Sequence, residues 1–512
     1  MIATLLRRFV SSASAVRRPP RGGECGPRWA MAVLFILASA CGAPVTQDDG
    51  AIDLVLTLAP AAVAASTDPM AAPGVRYPSG SRVVLSEPGG RSRPLSQGFE
   101  AAGAPVVSPA GDEVLFAGRR AEDGVWRVWR TEIRAARPVA VSDPAFDCIE
   151  PTFLAADRIA FTCAAPSEAS AQRWSLYTAS RTGAGPERVT FGPGNARAPT
   201  ALVDGRILFL MERLGSGAKP GLFTVNPDGT LLEAFVDVHS GDRVPVHVRE
   251  AVDGSVLALF LDPGSTPRAE RLDGGAPMAP ARVIRLPAVP PADRLVALEP
   301  AGKGAALVAY SAPGGPAAAY LQRREGWSKI WASAADERIV EVVAVMTRPA
   351  PRGRPRNVDP ERGVGYLLGY DARRSDNSVG PPLGSPAPAR VHINTMRVGA
   401  ARRPVGGDAG LEIAESISLG EAAIHDDGSF FVEVPADVPL RLATLDANGS
   451  PVGVSDWFWV RPGEVRACFG CHESRAAAPV NASVSAIRAD PMVLGAPDAT
   501  SDLGAAQSGG SR

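Results

Sequence analysis

A short cysteine and histidine motif near the carboxyl end of the sequence carries the clearest chemical signal. It reads Cys468-Phe-Gly-Cys471-His472, with an imidazole directly after the second thiol. Two thiols at this spacing can add to the two vinyl groups of one porphyrin, and the adjacent histidine then reaches the iron from one face. The motif therefore predicts one covalent haem c, attached through Cys468 and Cys471, with His472 as an axial iron ligand.

Two other chemistries also use a Cys-x-x-Cys pair, namely a structural zinc site and a redox-active dithiol. A structural zinc site needs four ligands, and the sequence has no second closely spaced cysteine pair. A thioredoxin-like dithiol lies at the start of a helix in a βαβ unit, whereas the sequence before this motif has strand character. Haem attachment is therefore favoured over both alternatives.

The sixth coordination position of the iron has three main candidates. His425 precedes an Asp-Asp-Gly turn, while His392 and Met396 lie in a segment of alternating polarity. The ordinary alternative for each is a surface or core side chain with no role at the iron. A five-coordinate haem would permit small-molecule chemistry, and a six-coordinate haem would favour electron transfer.

Aromatic and acidic side chains flank the motif. Trp457 and Trp459 share one face of a strand, where they would either line the haem or fill a β-sandwich core, and the core is favoured. Glu464 and Glu473 could bond a haem-linked group, although glutamate side chains are exposed by default.

The first 41 residues have the pattern of an export signal. Arginines precede an apolar run from Trp29 to Ala40, about 12 residues long, which is too short for a membrane span and suits a signal peptide. Small residues lead into Cys41, so residues 1–41 predict a lipoprotein signal with lipid on Cys41. The alternative is a secretory signal cut near Ala43. We expect an exported protein, either periplasmic or anchored by lipid in the outer membrane and facing the periplasm or the cell surface.

Two further cysteines lie in the middle of the chain. Cys148 and Cys163 stand 15 residues apart, on either side of an extended segment. An exported protein matures in an oxidising compartment, where disulfides persist. A Cys148–Cys163 disulfide is therefore predicted, and two separate buried thiols are the alternative.

A short motif recurs between residues 50 and 345. Each copy is a turn followed by a strand of β-branched and apolar residues that ends in an aromatic, and copies begin at Asp112, Asp157, Asp204 and Asp253. Units of this size cannot bury their own apolar faces, whereas radial stacking closes a shared core. The period predicts a β-propeller of about six blades, with a stacked array of β-sandwiches as the alternative.

The remaining segments complete an all-β prediction. Residues 346–363 are rich in proline and arginine and predict a linker with solvated charges. Residues 364–466 carry short alternating strands and predict a small Ig-like β-sandwich. Residues 467–490 form the haem-binding segment, and residues 491–512 have the composition of a disordered tail.

The sequence also resembles a known family. Residues 457–473 are similar to the carboxyl-terminal signature of the bacterial hydrazine synthase alpha subunit-like family, and residues 427–435 and 204–209 fit the same family. Residues 108–112 look like the signature of TolB-like blades. The resemblance implies a TolB-like propeller, a β-sandwich and covalent haem c.

One departure limits what the family resemblance carries over. The alpha subunit of the hydrazine-forming enzyme binds two c haems, whereas this sequence has one Cys-x-x-Cys-His motif. Only the roles of Cys468, Cys471 and His472 are therefore transferred to this chain, and hydrazine formation is not.

Charge and composition narrow the function further. The 53 basic and 54 acidic residues among 512 show no basic excess, so we expect no nucleic-acid partner. The predicted function is an exported monohaem c-type cytochrome-like protein that transfers electrons, with the propeller docking a redox partner protein or a ligand. The alternatives are a haem oxidoreductase acting on a small nitrogen compound or peroxide, and a scaffold lipoprotein with a structural haem.

Overall fold

The computed structural model describes most of the chain after the predicted export signal. The predicted signal (1–41), Cys471, His472 and Glu473 lie outside the described residues, as does most of the predicted tail. The described ranges are 52–165, 173–213, 220–235, 245–260, 268–272, 282–284, 286, 294–302, 304–311, 316–323, 326–334, 336–374, 387–396, 401–402, 412–413, 416–468 and 484–495.

Strands dominate the described residues. One short helix, α1 (Pro73–Arg76), and one 3-10 turn (Ser485–Arg488) are the helical elements of this part of the chain. The all-β prediction is confirmed. No helix within the described ranges has the length and apolarity to cross a membrane.

Six four-stranded antiparallel sheets occupy the chain from Leu54 to Ala344. Sheet by sheet, their strands are β1 (Leu54–Pro60), β2 (Arg82–Ser86), β3 (Ser92–Pro94) and, from far along the chain, β24 (Glu337–Ala344); β4 (Ala101–Val107), β5 (Glu113–Arg119), β6 (Arg127–Glu132) and β7 (Val139–Ala140); β8 (Asp147–Phe153), β9 (Arg158–Ala165), β10 (Arg173–Ser180) and β11 (Glu187–Arg188); β12 (Ala196–Ala201), β13 (Ile207–Met211), β14 (Gly221–Val225) and β15 (Glu233–Ala234); β16 (Pro245–Glu250), β17 (Val256–Phe260), β18 (Arg268–Leu272) and β19 (Arg282–Ile284); β20 (Arg294–Pro300), β21 (Ala306–Ser311), β22 (Ala318–Arg323) and β23 (Gly326–Ala332).

The six sheets are the blades of a closed propeller. The innermost strands β24, β4, β8, β12, β16 and β20 each contact the next, and β20 contacts β24 again, which completes a ring. The first blade has the strand order β24-β1-β2-β3, with Thr57 opposite Glu341. Strands from both ends of the propeller segment therefore close the ring.

The recurring sequence motif forms the second strand of blades two to five. Strands β13 and β17, for example, are buried along their whole length. A neighbouring blade covers each face of such a strand, so the sequence is a continuous apolar run rather than an alternating one. In blade three, Cys148 and Cys163 are joined by a disulfide between the paired strands β8 and β9.

Bulges interrupt three innermost strands at equivalent places. Ala104, Glu150 and Ala198 have φ angles of 51°, 55° and 54°, and a proline follows each of them. The pairing register of each strand with its neighbour shifts at this point. The bulges redirect backbone N–H groups and the Glu150 carboxylate away from the regular ladder.

The proline- and arginine-rich segment lies against the propeller. Its backbone donates hydrogen bonds of 2.9 Å from Arg348 to Pro109 O and from Arg352 to Val203 O. The segment therefore crosses from blade two to blade four before the chain enters the next domain. Its Arg354 and Arg356 side chains are exposed, whereas Arg348 is partly buried.

Two further four-stranded sheets pack face to face as a β-sandwich. A small hairpin pairs β27 (Ala401–Arg402) with β28 (Glu412–Ile413). The first sheet has the order β33 (Val465–Cys468), β25 (Val364–Gly369), β30 (Phe430–Pro435) and β34 (Met492–Val493); the second has β29 (Ser416–Ala423), β26 (Arg390–Met396), β31 (Leu440–Leu445) and β32 (Pro451–Val454).

Side chains from both sheets meet in the sandwich core. Val391 and Ile393 of the second sheet and Val432 of the first are fully buried in one apolar cluster. Strand β33 pairs in parallel with β25 at the edge of its sheet. This edge strand delivers the chain to the Cys-x-x-Cys-His motif.

Candidate functional site

Cys468 is the last residue of strand β33. It lies opposite Gly369 in the parallel pair, and its carbonyl accepts a 2.9 Å hydrogen bond from Tyr370 N. Its thiol is exposed. The first cysteine of the motif is thus held by a sheet edge, while Cys471 and His472 lie outside the described residues.

An apolar cleft of about 140 Å³ opens beside Cys468. It lies between the two sheets, where the edge strands β33 and β32 leave the sandwich open. Its walls are mostly apolar, and Arg466 and Asp371 are the charged residues among them. The main side chains that line it are Leu367, Phe430, Leu442, Phe458, Arg466 and Cys468.

The cleft and its thiol suit a porphyrin. A thioether at Cys468 would bring the apolar vinyl edge of the ring against the apolar walls of the cleft, with the anionic propionates projecting from the opposite edge. The described residues therefore fit the cofactor that the motif predicts. Within the ranges that the structure describes, no group of three or more His, Cys, Asp or Glu side chains could hold a metal ion.

The three candidates for the sixth iron position lie in different places. His425 occupies the turn before Phe430, which pairs with Gly369, so it lies at the same end of the sandwich as Cys468. Met396 is 1% exposed and pairs with Ser416, at the opposite end.

His392 lies on the outer face of the second sheet. Its neighbours Val391 and Ile393 point into the core, so its own side chain points outward and its Nε2 lies 2.8 Å from Ser418 Oγ. Of the three candidates, the structure brings only His425 to the end of the sandwich where Cys468 lies.

The segment before the motif docks on one turn of the propeller. This turn, Asp228–Leu232, joins β14 to β15 in blade four, and we call it the blade-four turn. Trp459 Nε1 donates a 2.9 Å hydrogen bond to Gly229 O, and Arg461 Nε donates one of 2.9 Å to Asp228 O. The sandwich is therefore fixed to the propeller directly upstream of Cys468.

Trp459 packs in the propeller rather than around the cleft or in the sandwich core. It is 1% exposed, in a cluster that includes Phe191 and Phe223 of blades three and four. The predicted sandwich-core position is therefore wrong for this residue. Phe458 contacts both that cluster and the sandwich core, and it lines the cleft. Sequence reasoning missed Phe458, although alternation with Trp457 and Trp459 places it on the opposite face of the strand.

Glu464 is buried, contrary to the expected exposure. It is 5% exposed, and its carboxylate accepts hydrogen bonds from Leu231 N at 2.9 Å and from Arg461 N at 2.8 Å. Burial raises the pKa of this carboxyl above its ordinary value, and the two backbone donors oppose the rise. The sequence signal for this position was Arg-Pro-Gly-Glu, which is typical of a turn. Gly463 has a φ of 76°, and the chain reverses there.

Asp437 forms an ion pair beside the same joint. Its Oδ1 accepts a 2.8 Å hydrogen bond from Arg461 Nη1. Burial raises the pKa of Asp437 to about 6, and the nearby Arg461 and Arg188 guanidiniums only partly offset this rise. The joint therefore contains a carboxyl group that titrates close to neutral pH.

Titration of Asp437 should make the stability of the protein depend on pH. The pKa is higher in the folded chain than in the unfolded chain, so folding favours the protonated form and stability falls as pH rises from about 4 to about 6. The wild type should lose about 2 kcal/mol over this range relative to Asp437→Asn, measured by urea unfolding. A difference between the two proteins that stays constant with pH would contradict this result.

A second charged cluster lies inside the propeller. Arg76 of α1 bonds Glu150 at 2.5 Å and Glu341 at 3.4 Å, and Arg197 Nε bonds Glu150 at 3.0 Å. Burial alone would raise the pKa of Glu150, but the Arg197 and Arg76 guanidiniums hold it below its ordinary value. Sequence reasoning missed this cluster, because its members come from distant parts of the chain.

All four lone-pair positions of Glu150 are used. Oε1 accepts from both arginines, and Oε2 accepts from Arg197 Nε and, at 2.7 Å, from Ala198 N at the neighbouring bulge. The Glu341 carboxylate similarly accepts from Tyr77, Thr57 and the Ala104 backbone. The cluster thus links blades one to four to the insertion that contains α1.

Comparison with known proteins bears on the segment around the cleft. Residues 393–473 match the family model of the hydrazine synthase alpha subunit middle domain. The match runs from β26 through β33 and includes the whole Cys-x-x-Cys-His motif. The chain resembles the hydrazine synthase alpha subunit family. The resemblance predicted from the sequence is confirmed.

The solved structure of Kuenenia stuttgartiensis hydrazine synthase is similar over the larger part of the chain. The TM-score is 0.72 and the identity 17%, with 86% of this chain and 71% of that chain covered. At this identity, the likeness to hydrazine synthase shows a shared fold.

Two TolB structures are more distant. TolB from Acinetobacter baumannii covers 57% of this chain and 66% of its own at 11% identity, with a TM-score of 0.41. A putative TolB from Agrobacterium tumefaciens covers 58% and 99% at 13% identity, with a TM-score of 0.38. Neither score reaches 0.5, so neither adds to the fold assignment. Among curated proteins, none matches the chain.

Proposed function

We propose that this protein is an exported monohaem c-type cytochrome-like protein that transfers electrons. The observation that carries the proposal is the exposed Cys468 thiol at the mouth of an apolar cleft, within the segment that matches the hydrazine synthase alpha subunit middle domain. Cys468 and Cys471 would hold the haem, and His472 would be its axial ligand. The bound haem supplies one-electron redox chemistry.

The chain's own residues have distinct roles in this proposal. The apolar walls of the cleft, including Phe430 and Phe458, exclude water from the attached edge of the ring. Arg466 supplies a positive charge at the same cleft. Hydrogen bonds to the blade-four turn attach the segment that carries these groups to the propeller.

The family resemblance favours a second candidate function, a haem oxidoreductase acting on a small nitrogen compound. This function requires an open iron position. Met396, one of the thioether candidates, lies at the far end of the sandwich, whereas His425 lies in the turn at the end where Cys468 ends its strand. An iron that His425 does not reach would be open to a small ligand.

The proposal also covers the location of the protein and its binding partner. Residues 1–41 would direct export, and lipid on Cys41 would anchor the protein in the outer membrane. A redox partner protein would dock on the propeller. The export and lipid assignments rest on the signal-like amino terminus.

Covalent haem staining tests the proposed function. The full chain should be produced in a bacterial host that matures c-type cytochromes, and the wild type should give a haem-stained band after denaturing electrophoresis. Replacing both Cys468 and Cys471 by alanine should abolish the stain, because both thioether bonds are lost. The control Cys25→Ala changes a cysteine upstream of the predicted lipid site and should keep the stain. A colourless wild type, or staining of the double variant, would exclude covalent haem c.

An optical spectrum of the same material separates the two candidate functions. A low-spin spectrum that carbon monoxide does not shift supports electron transfer, and a high-spin spectrum that carbon monoxide shifts supports ligand chemistry at an open iron. His472→Ala should remove the low-spin signature while leaving the thioether-linked stain.

A further inference from the structure

Arg466 and Cys468 share one face of strand β33. Side chains alternate along a strand, so residues two apart point the same way. Both residues line the apolar cleft, whereas the intervening Ala467 does not. A haem held by Cys468 therefore has the Arg466 side chain on its own side of the strand.

The propeller holds the Arg466 guanidinium in place. Its Nη2 donates a 2.7 Å hydrogen bond to Leu232 O, the last residue of the blade-four turn. Its Cζ lies 5.3 Å from the centre of the Phe458 ring, which lines the cleft. A side chain with these two contacts keeps one position, so its charge is fixed relative to the cleft.

Two acids lie near Arg466, and both have other hydrogen-bond partners. Glu464 accepts from the backbone of Leu231 and Arg461. Asp371, which also lines the cleft, pairs with Arg373, so neither acid forms an ion pair with the Arg466 guanidinium. Among the residues that the structure describes, no carboxylate forms an ion pair with it, in contrast to Arg461, which pairs with Asp437. The cleft is mostly apolar and screens charge less than bulk water does. A positive charge in such a place disfavours the ferric state of a haem, which carries one more positive charge than the ferrous state.

We propose that Arg466 is a positioning residue through which the fourth propeller blade fixes a positive charge beside the haem and raises its reduction potential. The inference rests on the proposed function, because it requires the covalent haem. It gives the propeller a role at the redox site that is separate from partner docking.

Redox titration of the purified full-length haem protein tests this inference. Arg466→Gln should lower the midpoint potential, so that the ratio of reduced to oxidised haem at a fixed potential falls roughly tenfold. Arg466→Lys keeps the positive charge but lacks the planar guanidinium. Its midpoint potential should lie between those of Arg466→Gln and the wild type. Arg466→Met is a second neutral variant that keeps an aliphatic stem over Phe458, and it should match Arg466→Gln.

Arg441→Gln is the matched control. Arg441 lies in the same domain, donates to a backbone carbonyl, Ser455 O, and stacks 6.0 Å from Trp457, but it does not line the cleft. It should keep the wild-type potential. An unchanged potential in a neutral Arg466 variant with full haem content would overturn the inference and leave the proposed function intact. A wild type without haem would overturn both.

Discussion

Replacing Glu150 by alanine should destabilise the propeller by about 3–5 kcal/mol. The carboxylate is 7% exposed and neutralises two buried guanidiniums, Arg76 and Arg197. Without it, both guanidiniums would stay buried inside the propeller, and Glu341 would pair with Arg76 alone. Urea unfolding followed by tryptophan fluorescence should show the loss as a lower midpoint.

The backbone at this site makes the substitution a clean test. Glu150 has a positive φ, which would ordinarily complicate any replacement. The equivalent bulges of blades two and four, however, use alanine at Ala104 and Ala198 with nearly the same φ. Alanine at position 150 therefore suits the backbone of the bulge. The decrease in the free energy of unfolding can then be attributed to the loss of the carboxylate.

Two further proteins complete this experiment. Glu122→Ala removes an exposed carboxylate whose nearest cation is 3.9 Å away, and it should change stability by less than about 0.5 kcal/mol. Arg76→Ala combined with Glu150→Ala should cost clearly less than the sum of the single changes, because the two residues share one network. Additive losses would show that the two residues are not coupled, and a Glu150→Ala protein as stable as Glu122→Ala would show that the Glu150 network does not stabilise the propeller.

Replacing Trp459 by alanine should cost about 3–5 kcal/mol and loosen the sandwich from the propeller. The indole is fully enclosed by side chains of blades three and four, although it belongs to the segment that enters the sandwich edge. Hydrogen exchange should show the loss of protection concentrated in residues 456–468 and the blade-four turn, since these are joined by the bonds of Trp459, Arg461 and Glu464.

Trp459→Phe separates the two contributions of this side chain. It keeps most of the aromatic volume and loses the 2.9 Å bond to Gly229 O, so it should cost about 1 kcal/mol. Equal losses in the phenylalanine and alanine variants would assign the effect to the hydrogen bond alone. Wild-type exchange rates in Trp459→Ala would contradict a joint held by this residue.

The repeat could be predicted from the sequence because blade strands are local. The segments that begin at Asp112, Asp157, Asp204 and Asp253 carry the same strand in successive blades, and each is buried on both faces. The first blade gave a weaker signal, because its inner strand β24 lies more than 200 residues beyond β3. No local pattern indicates a pairing of that kind.

The candidate site was predictable only in part. Spacing alone pointed to Cys468, because thioether attachment is a local requirement on the sequence. The cleft was not predictable, since Leu442 and Arg466 come from different sheets. Trp459 and Glu464 were misassigned for a related reason: their partners, Gly229 and Leu231, belong to the propeller. Alternation reports which face a side chain is on, but not which domain covers that face.

Ring closure by β24 also sets the order in which this protein can fold. Until residues 337–344 have emerged, β1 has one free edge and the first blade is an incomplete sheet of three strands. Contacts between such distant residues form slowly, because a long loop must close first. During synthesis the propeller would therefore remain an open arc until its last strand appears.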